Sequence, residues 1–145
     1  MDQDYILPGS RRSSKPKILV VRDTSGSMAD DATQQELLNE MIPISKRCDM
    51  YVVDCDAEIH QHYHVKRVSD FRTYEGGGGT SFKPAFEFAK HKNFDGIIYL
   101  TDTYGDFPEK TEVLKKLLTK TIWVTFDQEK VEIPFGKHLN ISTKE

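Results

Sequence analysis

The chain has 145 residues, a length typical of one domain, and 37% of them are hydrophobic, which suffices for one core. The formal net charge of -3 gives no positive field that would favour nucleic acid as a partner. No apolar run reaches the ~18–20 residues that a membrane-spanning helix needs, and the acidic N-terminus is not followed by the apolar segment of a secretory signal.

The two cysteines, Cys48 and Cys55, fall at the two ends of one apparent strand. Such a strand would separate them by roughly 23 Å, whereas the Cα atoms of a disulfide lie within ~7 Å of each other. Free buried thiols in a reducing compartment are therefore expected. Together with the absence of a membrane or secretion signal, this predicts a cytoplasmic location.

The hydrophobic patterning predicts an N-terminal arm over residues 1–16 and one domain over residues 17–145. Pro43 is expected to weaken or end the first helix early, whereas Pro84 is tolerated in the first turn of the second. In chain order, the predicted elements are a buried strand at 17–21, a helix at about 30–46, a buried strand at 50–53, an alternating edge strand at 58–68, a helix at 82–90, a buried strand at 96–100, a helix at 109–118 with Val113, Leu114, Leu117 and Leu118 on one face, a strand at 121–126 and a short strand at 138–141.

Buried strands alternate with helices along this chain, and one strand shows the alternation of an edge. This order predicts an α/β fold with a mostly parallel sheet, one antiparallel edge strand and helices on both faces. Tyr99 and Trp123 are expected to be core aromatics.

Oxygen-bearing side chains follow the ends of the predicted strands. Asp23, Ser25 and Ser27 come after the first strand, Thr80 follows the glycine run at 76–79, and Asp102 closes the strand at 96–100. Ligands of open α/β sheets bind beyond the carboxyl ends of the strands, where the strand order reverses. If the first strand and the strand at 96–100 are neighbours, Asp23 and Asp102 meet there.

The chemistry of this set favours a hard cation. Two carboxylates balance the charge of Mg2+ or Mn2+, and the hydroxyls complete an all-oxygen shell, whereas zinc would favour Cys and His. Mg2+ keeps open or water-filled positions, so a carboxylate from a partner protein could take one. The glycines before Thr80 would let that loop pass close to the ion and move.

At this point the chain resembles the von Willebrand factor A (VWA) domains and their metal-ion-dependent adhesion site. The resemblance covers the chain from Lys17 onward and is greatest to a bacterial VWA-like family often joined to an N-terminal predicted metallopeptidase region. The motifs that carry it are Asp23-Thr24-Ser25-Gly26-Ser27, Val53-Asp54-Cys55-Asp56-Ala57, Gly77-Gly78-Gly79-Thr80-Ser81-Phe82-Lys83-Pro84, Ile98-Tyr99-Leu100-Thr101-Asp102 and Pro134-Phe135-Gly136.

The resemblance implies a three-layer Rossmann-like VWA fold. It also implies ligation of the cation by Ser25, Ser27 and Thr80, with Asp23 and Asp102 acting directly or through water. Relatives often work beside AAA+ ATPases or in larger assemblies, which suggests such a partner. Two residues depart from the family pattern: Thr103 replaces a common Gly and is expected to restrict its loop, and Arg22 replaces an apolar residue and is expected to pair with a nearby acid.

Other polar clusters have ordinary explanations. His60, His62 and His64 share one face of the edge strand, but a spacing of ~6.6 Å is wide for one ion, so a polar face is the favoured interpretation. Asp54 and Asp56 fit either a supporting role near the site, a second cation, or simply a polar strand end. Turn chemistry explains Asp106.

The resulting hypothesis is a non-enzymatic, cation-dependent module that captures an Asp or Glu of a partner protein. One alternative is a metal-dependent phosphohydrolase with Asp23 as nucleophile. Such enzymes usually carry a second Asp two residues on, where this chain has Ser25, and a Lys near the phosphate. The other alternative is a structural VWA module that binds no metal.

Overall fold

The computed structural model describes residues 15–103, 105–109, 111, 115–128 and 131–142. Most of the predicted N-terminal arm lies outside these residues. The elements, in chain order, are β1 (Lys17–Asp23), α1 (Asp31–Ser45), β2 (Asp49–Cys55), β3 (Ile59–Val65), a 3-10 turn (Val68–Asp70), α2 (Lys83–Ala89), β4 (Gly96–Leu100), α3 (Lys115–Thr119), β5 (Thr121–Phe126) and β6 (Lys137–Ile141).

The strands form one six-stranded sheet in the order β3-β2-β1-β4-β5-β6. All neighbours are parallel except β3, which runs antiparallel to β2 at the edge. The chain therefore builds outward from β1 in one direction, returns, and builds outward in the other. The switch point lies between β1 and β4, where open α/β sheets bind their ligands.

Helices cover both faces of the sheet. On one face, α2 and α3 pack over an aromatic cluster that includes Phe82, Phe86, Tyr99 and Trp123. On the other face, α1 packs Leu37 and Met41 over aliphatic residues of the central strands. Alternate residues of β1 serve the two clusters, since Leu19 and Val21 face the first and Val20 faces the second. The predicted three-layer α/β class is confirmed.

The sequence predicted most element bounds closely. β4 and β5 have the predicted ends, Tyr99 and Trp123 are fully buried, and both cysteines are buried and free. The expectation that Pro43 ends the first helix early was wrong, because α1 continues past Pro43 to Ser45. Ser45 Oγ donates to the Ile42 carbonyl at 2.6 Å, and Met41 anchors the preceding turn in the core.

The third predicted helix is described only as the short α3, with Leu117 and Leu118 buried as expected. Its predicted first half, including Val113 and Leu114, lies outside the described residues. No helix in the described ranges combines the length and the apolar character that crossing a lipid bilayer requires.

Candidate functional site

The ends of β1 and β4 bring two of the predicted loops together. The last paired residues of these strands are Arg22 and Leu100, so Asp23 and Thr101 emerge side by side. The hydroxyl of Thr101 donates to Asp23 Oδ2 at 2.5 Å, and the Ser25 amide donates to Asp23 Oδ1 at 2.9 Å. Both oxygens of the Asp23 carboxylate are therefore oriented by groups of the switch point.

A second contact joins the same two loops nearer to solvent. The hydroxyl of Ser27 donates to Asp102 Oδ2 at 2.5 Å. Ser27 is exposed and Asp102 half-buried, so this pair lies at the mouth of the crevice while Asp23 lies at its base. The sequence prediction that the two carboxylate loops meet is borne out by this geometry.

The Ser25 hydroxyl is buried beside the Asp23 carboxylate. The residue is only 1% exposed, and its Oγ makes no hydrogen bond of normal geometry among the described residues, which is also true of Thr24 Oγ1 and Gln34 Oε1. The Ser25 side chain is nevertheless close enough to Asp23 to help lower the pKa of that carboxyl. A buried hydroxyl without a partner costs free energy, roughly 1–3 kcal/mol by mutational estimates. A buried hydroxyl oxygen of this kind is chemically suited to ligate a hard cation.

Asp23 is almost completely buried, with 1% of its surface exposed. Burial raises the pKa of its carboxyl; hydrogen bonds from Ser25 and Thr101 oppose that rise, and the nearby charge of Asp102 adds to it. The negative charges of Asp23 and Asp102 repel each other. A divalent cation bound by both carboxylates would remove that repulsion.

The glycine loop at 76–79 is tied to the loop that follows β1. The Gly26 amide donates to the Gly78 carbonyl at 2.9 Å, and the Gly77 amide donates to the Thr24 carbonyl at 2.7 Å. A Cβ atom on Gly76 would lie 2.2 Å from Thr24 Oγ1, so only glycine permits this approach. The loop is therefore held by specific bonds that any movement would have to break.

Thr80 follows this loop at the same end of the sheet. It is half-buried, and its methyl group lies 2.6 Å from where a Cβ atom on Gly105 would be. The Ser81 amide next to it donates to the Asp56 carbonyl at 3.1 Å. Hydrogen bonds thus join the Asp23 and Asp102 loops directly, whereas Thr80 is positioned through the backbone bonds of its neighbours.

Arg22 and Asp54 form a buried ion pair directly behind the site. Arg22 Nε lies 2.6 Å from Asp54 Oδ1, and the exposed fractions of the two side chains are 3% and 0%. The same guanidinium donates to the Tyr63 hydroxyl and the Arg72 carbonyl. The predicted acidic partner of Arg22 is thus identified as Asp54.

Asp54 also holds the entry to the glycine loop. Its Oδ2 accepts hydrogen bonds from the Glu75 amide at 3.0 Å and from Gln61 Nε2 at 2.7 Å. A carboxylate that combines an ion pair with amide donors is well satisfied despite its complete burial. Asp54 is therefore a supporting residue that fixes the chain just before Gly76.

Asp56 holds the loop two residues further on. Its Oδ2 accepts from the Gly78 amide at 2.9 Å and lies 2.8 Å from His60 Nε2, and its Oδ1 accepts from the Glu58 amide at 2.9 Å. Burial raises the pKa of Asp56, but these hydrogen bonds outweigh it and leave the pKa below its usual value. The carboxylate is thus held in its charged form.

The three histidines of β3 have separate surroundings. His60 pairs with Asp56, and His64 pairs with Asp49 at 2.5 Å. The His62 ring lies 4.8 Å from the ring of Phe88. In the described part of the chain, no group of three His, Cys, Asp or Glu side chains is close enough to hold a metal ion.

The residue after Asp102 adopts a backbone conformation that favours glycine. Thr103 has φ 68°, in the left-handed region, and its hydroxyl donates to the Asp102 carbonyl at 2.6 Å. Its amide donates to Thr101 Oγ1 at 2.9 Å. The expected restriction of this loop is thus explained by these two hydrogen bonds, which join Thr103 to Asp102 and to Thr101.

The donor chemistry fits a hard cation better than a soft one. Asp23, Ser25, Ser27 and Asp102 supply only oxygen atoms, which are the ligands that Mg2+ and Mn2+ prefer. These side chains therefore fit a hard divalent cation such as Mg2+ or Mn2+.

A cavity of about 240 Å³ opens beside the Ser27–Asp102 pair. Its wall includes Thr33 and Glu36 of α1 and Phe126 at the end of β5. The crevice is thus accessible to a side chain from outside, next to the half-buried Asp102.

Comparison with known proteins agrees with the architecture. The family described as "VWA-like domain (DUF2201)" matches residues 18–142. An uncharacterized protein of Thermotoga maritima is 29% identical over 107 residues, which cover 70% of this chain and 26% of that protein. The chain thus spans about a quarter of the length of this curated relative.

Two solved structures share the fold. The ArnB paralog VWA2 from Sulfolobus acidocaldarius has a TM-score of 0.54 at 15% identity, over 87% of this chain and 36% of that chain. Proximal thread matrix protein 1 from the mussel byssus has a TM-score of 0.57 at 19% identity, over 85% of this chain and 36% of that chain. With the family match over nearly the whole chain, the conclusion is that this chain belongs to the VWA-like domain family (DUF2201).

Proposed function

We propose that this chain is a protein-binding module whose contact with its partner depends on a divalent cation, Mg2+ or Mn2+. The observation that carries the proposal is the pairing of two oxygen-rich loops at the switch point of the sheet, which brings the buried Asp23, the buried Ser25 and the half-buried Asp102 to one crevice. A cation bound there would supply a positive field and a coordination position for an external carboxylate.

Each residue of the proposed site has a separate task. Asp23 supplies negative charge at the base of the crevice, where Thr101 and the Ser25 amide orient it. Ser25 and Ser27 supply neutral hydroxyl ligands, and Asp102 supplies the second charge at the mouth. Thr80 is proposed as the fifth ligand, brought in by the glycine loop.

The proposed partner group is an Asp or Glu side chain. With two carboxylates around a divalent cation, the site has no net charge and does not strongly repel a further carboxylate. An open coordination position of the cation would then attract that carboxylate. The cavity beside Ser27 and Asp102 gives that side chain an approach from solvent. An AAA+ ATPase or a subunit of a larger assembly is the proposed kind of partner, within the cytoplasm. Nucleic acid and membranes are not proposed as partners.

Thermal unfolding in EDTA, Mg2+, Mn2+ and Ca2+ tests the cation step. Binding to the folded state alone, at a hundredfold excess over Kd, adds about 2.7 kcal/mol, which corresponds to roughly 5–10 °C in Tm. We expect that rise in the unaltered chain and its loss in Asp102→Asn. Asp106→Asn, an exposed Asp four residues on in the same loop, is the matched control and should retain the rise.

The partner step is tested by affinity capture from the source cells. A protein that is retained with Mg2+, released by EDTA and not retained by Asp102→Asn would support the proposal. Retention that ignores both EDTA and the substitution would contradict it. The same preparations should be assayed with a generic phosphate ester, because Mg2+-dependent hydrolysis that requires Asp23 would favour a phosphohydrolase instead.

A further inference from the structure

We infer that Asp56 is a positioning residue for the proposed cation site. It lies outside the set of proposed ligands and acts by holding the glycine loop that leads to Thr80. The inference rests on the proposed function and adds to it a residue that determines how well the site is assembled. His60 supports Asp56 in this task.

The Asp56 side chain bonds to the backbone through both of its oxygens. Each carboxylate oxygen accepts a backbone amide: Oδ2 accepts Gly78 at 2.9 Å and Oδ1 accepts Glu58 at 2.9 Å. The carboxylate thus bridges the end of β2 to the middle of the glycine loop. Bonds from amides to a charged acceptor are about twice as strong as neutral ones, so this bridge is worth more than an ordinary turn contact.

This bridge continues into the loop that follows β1 and carries Ser25 and Ser27. The carbonyl of Gly78 accepts the Gly26 amide at 2.9 Å, and Gly26 lies between Ser25 and Ser27. The peptide units around Gly78 therefore contact Asp56 on one side and the ligand-bearing loop on the other. A shift of Gly78 would move both Thr80 and the loop that carries the two serines.

The Asp56 carboxylate also leaves no space for a side chain at position 78. A Cβ atom on Gly78 would lie 2.8 Å from Asp56 Oδ2, whereas one on Gly79 would meet only the Ala57 methyl at an ordinary 3.7 Å. Neither glycine has a backbone conformation restricted to glycine. The requirement for glycine at position 78 therefore comes from the carboxylate itself, which gives two independent ways to disturb one contact.

Asp56→Asn is the first test. An amide can present oxygen to only one of the two backbone donors, so its NH2 group faces the other and one bond is lost. If the glycine loop is then displaced most of the time, the apparent cation affinity equals the intrinsic affinity multiplied by the fraction of molecules whose loop is in place. We expect about tenfold weaker Mg2+ binding by calorimetry, from the loss of one bond to a charged acceptor.

Gly78→Ala is the second test, with Gly79→Ala as its matched control. We expect Gly78→Ala to weaken Mg2+ binding as Asp56→Asn does, Gly79→Ala to leave it within about twofold, and the double variant Asp56→Asn, Gly78→Ala to lose no more than either single one. His60→Ala should cause a smaller loss than Asp56→Asn. Wild-type affinity in both Asp56→Asn and Gly78→Ala would overturn the inference.

Amide hydrogen exchange separates the inference from the proposed function. Measured in EDTA, the Gly78 amide should exchange about tenfold faster in Asp56→Ala than in the unaltered chain, because Ala offers no acceptor to this amide. Unchanged exchange at Gly78 would overturn the positioning role even if the cation binds. Faster exchange, in a chain that binds no cation in any form, would support Asp56 as the residue that holds the loop and overturn the proposed function instead.

Discussion

The two ends of the sheet use the same residue types for different purposes. An Asp–His pair joins β2 and its antiparallel neighbour at each end: Asp56 with His60 near the proposed site, and Asp49 with His64 at the opposite end. Asp56 is 5% exposed and Asp49 is 38% exposed. Asp56 also accepts backbone amides of a loop, whereas the carboxylate of the half-buried Asp49 accepts no backbone amide in the described part of the chain.

The opposite end is organised by aromatic and cationic contacts instead. The ring of His64 stacks on Tyr51 at 4.2 Å, and Lys17 Nζ lies 4.8 Å from the centre of the Phe94 ring. A cation–π contact near the surface, such as that of Lys17 with Phe94, contributes about 0.5–1 kcal/mol. Burial, and the number of amides that a carboxylate satisfies, therefore decide which Asp of this chain is structurally important.

The largest expected difference between the two ends concerns Asp54 and Asp49, the penultimate and first residues of β2. Asp54→Ala leaves the guanidinium of Arg22 buried without its partner, which should cost about 3–5 kcal/mol in the free energy of unfolding. Asp49→Ala removes a half-buried pair at the surface and should cost at most about 1 kcal/mol. Urea unfolding of both variants measures the difference. Equal losses would show that the buried pair does not carry the weight assigned to it.

A smaller effect is expected within the glycine loop. Gly76→Ala would place a methyl group 2.2 Å from Thr24 Oγ1 and 2.6 Å from the Thr24 carbonyl oxygen, whereas a Cβ atom on Gly77 meets no atom within 4 Å. Both have positive φ, so both variants carry backbone strain of about 1 kcal/mol or more. Gly76→Ala should lose about 2–3 kcal/mol more, since its clash involves backbone. Thermal unfolding in EDTA compares the two directly.

The two cysteines extend the comparison to reactivity. Cys55 lies at the site end of β2, where burial raises the pKa of its thiol to about 12, from 9.0. Cys48 lies at the other end, and burial raises its pKa as well. Both remain protonated at pH 8, so labelling by a thiol reagent requires opening of the fold. Cys55 should react much more slowly than Cys48, and both should react fully in urea.

The sign of the pH effect follows from the raised pKa of Cys55. The unfolded thiol ionises near 9.0 while the folded one holds its proton to about 12. The stability that this thiol contributes is therefore present below pH 9 and is lost as the pH rises toward 12. Cys55→Ser should flatten that loss in urea titrations above pH 9. A loss of unchanged slope would mean that other groups cause it.

The smallest effect is expected at residues with positive φ. Thr103, beside the site, has φ 68°, and Asn93, at the opposite end, has φ 56°. A β-branched residue is strained in this region, whereas Asn tolerates it. Thr103→Gly should therefore raise stability by up to about 1 kcal/mol, and Asn93→Gly should change it little. If Thr103→Gly also weakens cation binding, the strained backbone at Thr103 serves to orient Asp102.

Sequence patterns predicted the sheet well because its strands are short apolar runs between polar turns. The bounds of β4 and β5, the antiparallel edge strand and the meeting of the Asp23 and Asp102 loops all followed from periodicity and strand order. The continuation of α1 beyond Pro43 did not, since it depends on tertiary packing of Met41 rather than on local propensity.

The loop contacts of Asp56 could not be read from the sequence. Asp56 follows a register shift of β2 against β3 at Asp54 and Cys55, and its side chain contacts Gly78, 22 residues further along the chain. A register shift leaves no pattern that spacing alone reveals. The pairing of Arg22 with Asp54 had a signal, because a cation beside a buried strand needs an acid, but the sequence did not indicate which of several acids would be its partner.

Titration with Mn2+, followed by electron paramagnetic resonance, detects the proposed bound cation itself. We expect one bound Mn2+ per chain, displaced by Mg2+ and absent in Ser25→Ala combined with Asp102→Asn, while Asp106→Asn binds as the unaltered chain does. Folded protein that binds no Mn2+, or binding that survives the loss of Ser25 and Asp102, would contradict a cation site at the switch point between β1 and β4.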